Sequence, residues 1–338
     1  MVGLLGFAFF SNYDYRKLRF VSFVMFAVSI GLLIILGLIG LVLCRTPEDA
    51  GLIFAPCING ASRWLYLNPA PFPPIPYLGV LSFQPSELAK LAIILYLSTQ
   101  LSKFEDKKYQ KTDPFVVYLT TTLSFAFLLL LQPNMSTAVL VFLIGSVIYF
   151  VSSYPLLPFL ISTPLIGLLG VILMLTSQYR RARLLTLLGL SADSGYEAGY
   201  HIKQILIALG SGGIFGLGFG QSRQKYQYLP EVASDSIFAI IGEEFGFIGA
   251  SIIILVFAYL IYLGLDIAKK APDSLGRMLA TGITSWIGLQ FFINIAAMTK
   301  LIPLTGMPIP LISYGGSSML FTLMGLGILR SVQKAAKD

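Results

Sequence analysis

Apolar residues in this chain run in long blocks, with no strict alternation of apolar and polar positions. Eight blocks approach or exceed the length a helix needs to cross about 30 Å of hydrocarbon. They are Leu18–Leu43, Leu81–Leu101, Phe115–Leu131, Ala138–Ser153, Leu157–Ser177, Ile237–Ala268, Met278–Thr299 and Leu311–Val332. Within a bilayer every backbone polar group needs a partner inside the protein, so the blocks predict an all-α, polytopic membrane bundle of about eight spans. Gly and Pro interrupt several of them, as membrane helices tolerate. The chain is expected to form a single membrane domain over residues 1–338, with one long loop, 178–236, inside it.

Composition agrees with the pattern. The chain is 56% hydrophobic and only 12% charged, with a mean hydropathy of +0.81. A soluble all-helical protein is the bland alternative, and the recurrence of span-length blocks weighs against it. If Leu18–Leu43 runs from inside to outside, the cytoplasmic ends collect Arg16, Lys17, Arg19, Lys103, Lys107, Lys108, Lys111, Lys269, Lys270, Arg277, Arg330, Lys334 and Lys337, 13 of the 23 Lys and Arg. The short outside loops keep Arg45, Arg63 and Lys300. Cytoplasmic loops of membrane proteins are rich in Lys and Arg, so this orientation and a cytoplasmic C-terminus are expected. Anchoring beside anionic lipid accounts for the net charge of +7 without nucleic acid.

The long loop is the exception, with Arg180, Arg181, Arg183, Lys203, Arg223 and Lys225 on the outside. Long loops translocate regardless of charge, and loops of this length are usually functional. Its apolar stretch Ile202–Phe219 reads as a short re-entrant or interfacial helix. The glycines of "GSGGIFGLGFG" (Gly210–Gly220) lack the spacing and the preceding strand of a dinucleotide site, and close backbone packing is their expected use. His201 is the sole histidine, so His-based metal clusters and triads are unsupported. Cys44 and Cys57 could pair on the outside, but two cysteines without geometry decide nothing, and free thiols are the favoured expectation.

Three polar groups remain. In "FQPSELAK" (Phe83–Lys90), Glu87 and Lys90 stand three apart on one helix face and can pair; a structural ion pair and a substrate-facing role are equally supported. In "SQYRRAR" (Ser177–Arg183), three guanidiniums leave the membrane together, suited either to a phosphate or to headgroup anchoring. In "YLPEVASDSIFAIIGEEFGF" (Tyr228–Phe247), Glu231, Asp235, Glu243 and Glu244 fall within twenty residues of a chain poor in charge. Asp235 sits where a helix begins, as a cap would, and Glu243 and Glu244 follow two turns on. A structural cluster and a base beside an anionic substrate both fit.

Five ordered stretches then carry a resemblance over essentially the whole chain: "NGASRWLYL" (Asn59–Leu67), "FQPSELAK", "QPNMSTA" (Gln132–Ala138), "SRQKYQYLPEVASDSIFAIIGEEFGFIGA" (Ser222–Ala250) and "LTGMPIPLISYGGSS" (Leu304–Ser318). Together they resemble the SEDS family (shape, elongation, division and sporulation), the family of FtsW and RodA. "SRQK" before "YLPE" is nearer to the division member FtsW. The resemblance implies ten membrane helices, and this chain is expected to lack the first and most of the second, "MVGLLGFAFF" matching the second's tail. "NPAPFPPIPY" (Asn68–Tyr77) resembles an insertion, stiffened by its prolines.

What the resemblance implies for function is peptidoglycan glycosyltransferase activity, the polymerisation of lipid II at the outer face of the bacterial cytoplasmic membrane. It further implies work alongside a class B penicillin-binding protein and divisome proteins. The family's motif H-T-D-F-I-F aligns with Ala233–Phe238, which assigns the catalytic role to Asp235; here His, Thr and Phe are replaced by Ala233, Ser234 and Ser236. Asn134 stands where many members have Asp. Arg63, Trp64, Glu87, Lys90, Arg180, Arg181, Arg183, Lys203, Arg223, Glu243 and Glu244 are the expected substrate-binding set. No cofactor is required, although Mg2+ or Mn2+ bridging a carboxylate and the pyrophosphate is compatible with the sequence. A lipid II flippase would need polar cavity residues but no base, and a scaffold recruiting a transpeptidase would need neither base nor phosphate clamp.

Overall fold

The computed structural model describes residues 2–44, 51–58, 60–69, 71–73, 81–105, 113–176, 178–189, 197–226 and 229–337. For 173, 174, 176, 178–180, 197 and 198 the backbone alone is described. The described residues form helices α1 (Val2–Asn12), α2 (Leu18–Leu43), α3 (Pro85–Glu105), α4 (Pro114–Leu131), α5 (Met135–Val151), α6 (Leu157–Thr176), α7 (Gln178–Leu188), α8 (Glu197–Ser211), α9 (Ile237–Lys270), α10 (Ser274–Met298) and α11 (Gly316–Ala335). Each of the eight expected spans is one of these helices. By length and apolarity alone α2, α4, α9 and α10 can cross a membrane. The molecule is thus all-α and polytopic, as the apolar blocks predict. Half of "NPAPFPPIPY", with Arg45, Asn59, Lys107, Lys108 and Lys111, lies outside the described residues.

The chain divides into two compact units. The first comprises residues 1–154, 262–287 and 315–338. Its centre is α3, whose residues are buried on nearly every side among α2, α4, α5 and α11. A helix enclosed by protein need not be greasy all round, which is why α3 carries Glu87, Lys90, Ser98 and Thr99 and still sits in the core. Small residues let the helices close up. A Cβ on Gly145 of α5 would lie 2.2 Å from the Thr122 side chain of α4, and one on Gly327 of α11 would lie 2.8 Å from the Phe7 carbonyl of α1.

Between α2 and α3 the chain forms two small antiparallel pairs, β1 (Gly51–Leu52) with β2 (Ala55–Pro56) and β3 (Leu65–Tyr66) with β4 (Ser82–Phe83). Here the expectation of free thiols fails. Cys44, at the end of α2, is disulfide-bonded to Cys57, just past β2, with their Cα atoms 5.5 Å apart. The tight return of the β1–β2 turn brings the two together, a proximity that spacing alone does not reveal.

The second unit comprises residues 155–261 and 288–314, and it holds the described part of the long loop. The glycine-rich stretch is not helical beyond α8. It runs instead along a break in α9 at Gly246, whose φ of 65° and ψ of −164° interrupt the helix. Leu217 and Gly218 donate their N–H groups to the carbonyls of Glu243 and Glu244 at 2.9 and 3.0 Å. Phe247 and Ile248 donate theirs to Gly213 and Ile214 at 2.9 and 3.2 Å. A break in an apolar helix would strand these backbone groups, and the loop satisfies them. The approach is possible only without side chains: a Cβ on Gly216 would lie 2.2 Å from the Glu244 carbonyl, and one on Gly212 would lie 2.0 Å from that of Gly242. Close backbone packing is what the glycines do.

Candidate active site

Asp235 lies two residues ahead of α9, in a segment of turns. Glu231, at φ 51°, bends the chain so that its carbonyl accepts the N–H groups of both Ser234 and Ser236 at 3.2 Å. Its side chain accepts from Ser234 Oγ at 2.6 Å. The segment is fastened from α10 and from the α10–α11 connection. Ala233 O accepts from the Tyr314 N–H at 2.8 Å, Ser234 O from Ser313 Oγ at 2.5 Å, and Asp235 O from Asn294 Nδ2 at 2.8 Å. On the other side His201 Nε2 lies 2.9 Å from Ser236 Oγ, which donates to Pro230 O at 3.1 Å. Burial, and then the Arg183 guanidinium, push His201 below its ordinary pKa, consistent with a neutral ring.

The Asp235 carboxyl is half-buried. Burial, then the negative Glu231, raise its pKa from 3.8 to about 6; the hydroxyl of Ser234 and the charge of Arg183 oppose the rise. A carboxylate so placed is ionised at neutral pH yet more basic than an exposed one, which suits proton abstraction. The connection after α10 passes close by: a Cβ on Gly306, at φ 63°, would stand 3.2 Å from Asp235 Oδ2. Arg183, on α7, donates from Nη1 to the Leu304 carbonyl at 2.6 Å. It lines a shallow cleft with Leu187, Ile202, Lys300, Ile302 and Leu304. Two cations over an apolar lining suit an anion attached to a hydrocarbon.

The other expected residues fall elsewhere. Arg181 is exposed on α7, Arg180 shares that helix with its side chain outside the described part, and Lys203 and Arg223 are exposed. Glu243 and Glu244 hold the loop. Glu243 accepts from Ser222 Oγ and from the N–H groups of Arg223 and Gln224 at 3.0 and 3.4 Å. Glu244 accepts from Lys225 Nζ at 2.8 Å and from the Ser222 N–H at 3.3 Å. "SRQK" is thus a fold of backbone donors wrapped round a carboxylate. In the first unit Lys90 Nζ pairs with Glu87 at 2.7 Å and stands 5.2 Å from the Trp286 ring centre. Arg63 donates to the carbonyls of Gln132 and Pro133 at 3.1 and 3.0 Å, where α4 ends. Trp64 is half-buried beside it in sequence.

A family model described as cell cycle protein, that of FtsW, RodA and SpoVE, matches residues 1–338. The chain belongs to the FtsW/RodA/SpoVE family. It is 36% identical over 337 residues to stage V sporulation protein E of Bacillus subtilis, covering 99% of this chain and 85% of that one. It is 37% identical over 286 residues to a probable peptidoglycan glycosyltransferase FtsW of Geobacter sp. strain M18, covering 83% of this chain and 74% of that one. Among solved structures, a chain from work titled as structural coordination of polymerization and crosslinking by a peptidoglycan synthase complex superposes with a TM-score of 0.74 at 25% identity, covering 99% of this chain and 87% of that one. The crystal structure of the rod shape determining protein RodA of Thermus thermophilus matches with a TM-score of 0.64 at 25% identity, over 100% of this chain and 85% of that one.

Within this FtsW/RodA/SpoVE member, sequence reasoning gave Glu231 and His201 no place in the site and missed Asn294 and Ser313. Glu231 was visible as the nearest acid to Asp235. Asn294 and Ser313 carry no charge and act through main-chain carbonyls, and only three dimensions reveal that.

Proposed function

We propose that this protein is a peptidoglycan glycosyltransferase that polymerises lipid II at the outer face of the bacterial cytoplasmic membrane, with Asp235 as general base. The observation that carries the reading is Asp235 itself. It is a half-buried carboxyl with its pKa raised to about 6, fastened through three consecutive carbonyls and close enough to feel the charge of Arg183. Asp235 takes the proton of the acceptor hydroxyl as that oxygen attacks the anomeric carbon of the lipid-linked donor. The bond from that carbon to the pyrophosphate breaks, and the leaving group departs with the electron pair as an anion. Arg183 and Lys300, which line one cleft, would stabilise that charge, the larger electrostatic part of such catalysis. The base contributes ~10²–10⁴-fold.

Among the described residues no three His, Cys, Asp or Glu side chains gather as a metal site. A Mg2+ or Mn2+ ion would therefore rely on Asp235 and the substrate's own phosphate oxygens, a sparse arrangement that Mg2+ accepts. It would neutralise phosphate charge. The outward orientation rests on the basic residues at the opposite helix ends and on the Cys44–Cys57 disulfide, since disulfides persist in oxidising surroundings. The C-terminus is then cytoplasmic. The peptidoglycan glycosyltransferase name of the Geobacter relative supports the activity, and the crosslinking named for the synthase complex among the structural matches supports a cross-linking partner, which the family resemblance makes a class B penicillin-binding protein. "SRQK" favours a division role among divisome proteins.

The test is incubation of the purified protein with lipid II. Glycan strands from wild type and none from Asp235→Asn are expected. Transport of lipid II across vesicles without strands would replace the reading by a flippase, and binding to a penicillin-binding protein with neither activity would leave a scaffold.

A further inference from the structure

Asp235 stands in a segment without regular secondary structure, so no helix or sheet fixes it. Asn294 does part of that work. It is fully buried on α10, at 0% exposure, and its Nδ2 donates both to Asp235 O at 2.8 Å and to Met307 O at 2.6 Å. One amide thereby ties the Asp235 segment to the chain just past Gly306, the residue that runs beside the carboxylate. Gln290, one turn earlier on the same face, repeats the device on Pro308 O at 2.7 Å. Few side chains can do this. An ionised aspartate only accepts, a serine has one proton, and a glutamine is a methylene too long for the same two carbonyls.

We propose that Asn294 is a positioning residue for the reaction above: through the main chain at 235 and 307 it sets where the Asp235 carboxylate stands, without touching substrate. The proposal rests on the reading of Asp235 as base. Ser313, which holds Ser234 O while accepting the Ile309 N–H at 2.8 Å, is the weaker second anchor. Displacing a reacting group by about 1 Å costs on the order of 100-fold in rate.

The experiment measures kcat and KM for lipid II polymerisation from pH 5 to 8 in wild type, Asn294→Ala, Ser313→Ala and Gln132→Ala. Gln132 is a buried amide of the first unit, 1% exposed, donating to Leu33 O at 2.9 Å; it controls for simple destabilisation. Asn294→Ala is expected to lose roughly 10–100-fold in kcat with KM within about twofold. Its acidic pH midpoint should also move, because the carboxyl's burial and its distances to Glu231 and Arg183 change. Ser313→Ala should lose less in the same direction, and Gln132→Ala should keep both kcat and midpoint while melting lower. A wild-type kcat in Asn294→Ala, or an equal loss in Gln132→Ala, overturns the proposal. If Asn294→Ala does not fold, a wild-type kcat and midpoint in Ser313→Ala overturn it instead. Asp235→Asn run in parallel separates the two ideas. Strands from that variant sink the base reading, whereas its silence beside a fully active Asn294→Ala sinks only the positioning.

Discussion

Replacing Asp235 by Asn should stop polymerisation and at the same time make the protein more stable. The carboxyl has its pKa raised from 3.8 to about 6, chiefly by burial and then by Glu231. Its charged form is therefore disfavoured in the fold by ~3 kcal/mol at neutral pH. Asn is neutral and nearly the same shape, so it removes that cost. The opposing pull of Ser234 is already contained in that net shift. Discounted for the part of the carboxyl that still meets solvent, the net expectation is a gain of ~1–2 kcal/mol at pH 7.5. The sign reverses nothing at low pH but erases the difference. A carboxyl whose folded pKa lies above its unfolded one imposes no penalty below about 3.8 and the full penalty above about 6, so the advantage of Asn should shrink steadily between those values. The assay is the thermal aggregation midpoint of both proteins in detergent at pH 7.5, 6 and 4.5, where a gain of this size moves the midpoint by a few degrees at most. In the same preparations wild-type polymerisation should fall as pH drops through about 6, because only the ionised carboxylate accepts a proton. A variant no more stable than wild type at pH 7.5, or a difference that ignores pH, would refute the claim that Asp235 is held in a destabilising environment.

Three further outcomes follow from the rest of the molecule. Reducing Cys44–Cys57, which closes a short loop of sequence separation 13, should cost ~3 kcal/mol by the chain-entropy argument, read as a lower aggregation midpoint with reductant; alkylation of both thiols without reductant would show that the bond does not form. Glu243→Ala removes a buried carboxylate from the Ser222–Gln224 donors and should loosen "SRQK" by ~3 kcal/mol, seen as faster trypsin cleavage after Arg223 or Lys225; unchanged cleavage counts against the anchoring role. Lys90→Met should destabilise by roughly 3–5 kcal/mol because it strands Glu87 in the core, while Glu87→Gln together with Lys90→Met should recover most of that, both read from midpoints; equal losses in single and double variants would show that the charges are not coupled.

Much of the fold was legible because bilayer physics writes it in one dimension. Each apolar block of span length became a helix, and the pairing of Glu87 with Lys90 followed from a three-residue spacing on one face. The use of the glycines was also legible, since backbone crowding is what many glycines in an apolar setting allow. The disulfide was not, because the β1–β2 turn that closes it depends on contacts that two cysteine positions do not encode. The anchors of Asp235 were hidden for a related reason: Asn294 and Ser313 lie 59 and 79 residues from their partners in sequence, and they bind carbonyls, which every residue has.

The four carboxylates of Tyr228–Phe247 looked like one acidic cluster in sequence, and the structure separates them by what each meets. Glu243 and Glu244 lie on the near side of the break at Gly246. Their main-chain carbonyls, freed by that break, bind Leu217 and Gly218, while their side chains bind "SRQK". Both therefore fasten the loop to α9 twice, once by backbone and once by charge, and the energy of two buried carboxylates is used in holding a shape. Glu231 and Asp235 lie ahead of the helix, where backbone bends and not loop donors surround them. Asp235 is left with its pKa raised and, among the described residues, no lysine or arginine salt bridge to its oxygens. A structural acid is paired until its charge is comfortable. A carboxyl proposed to take a proton is better held through its main chain than by cations on its own oxygens, and the carbonyls of Ala233, Ser234 and Asp235 hold this one.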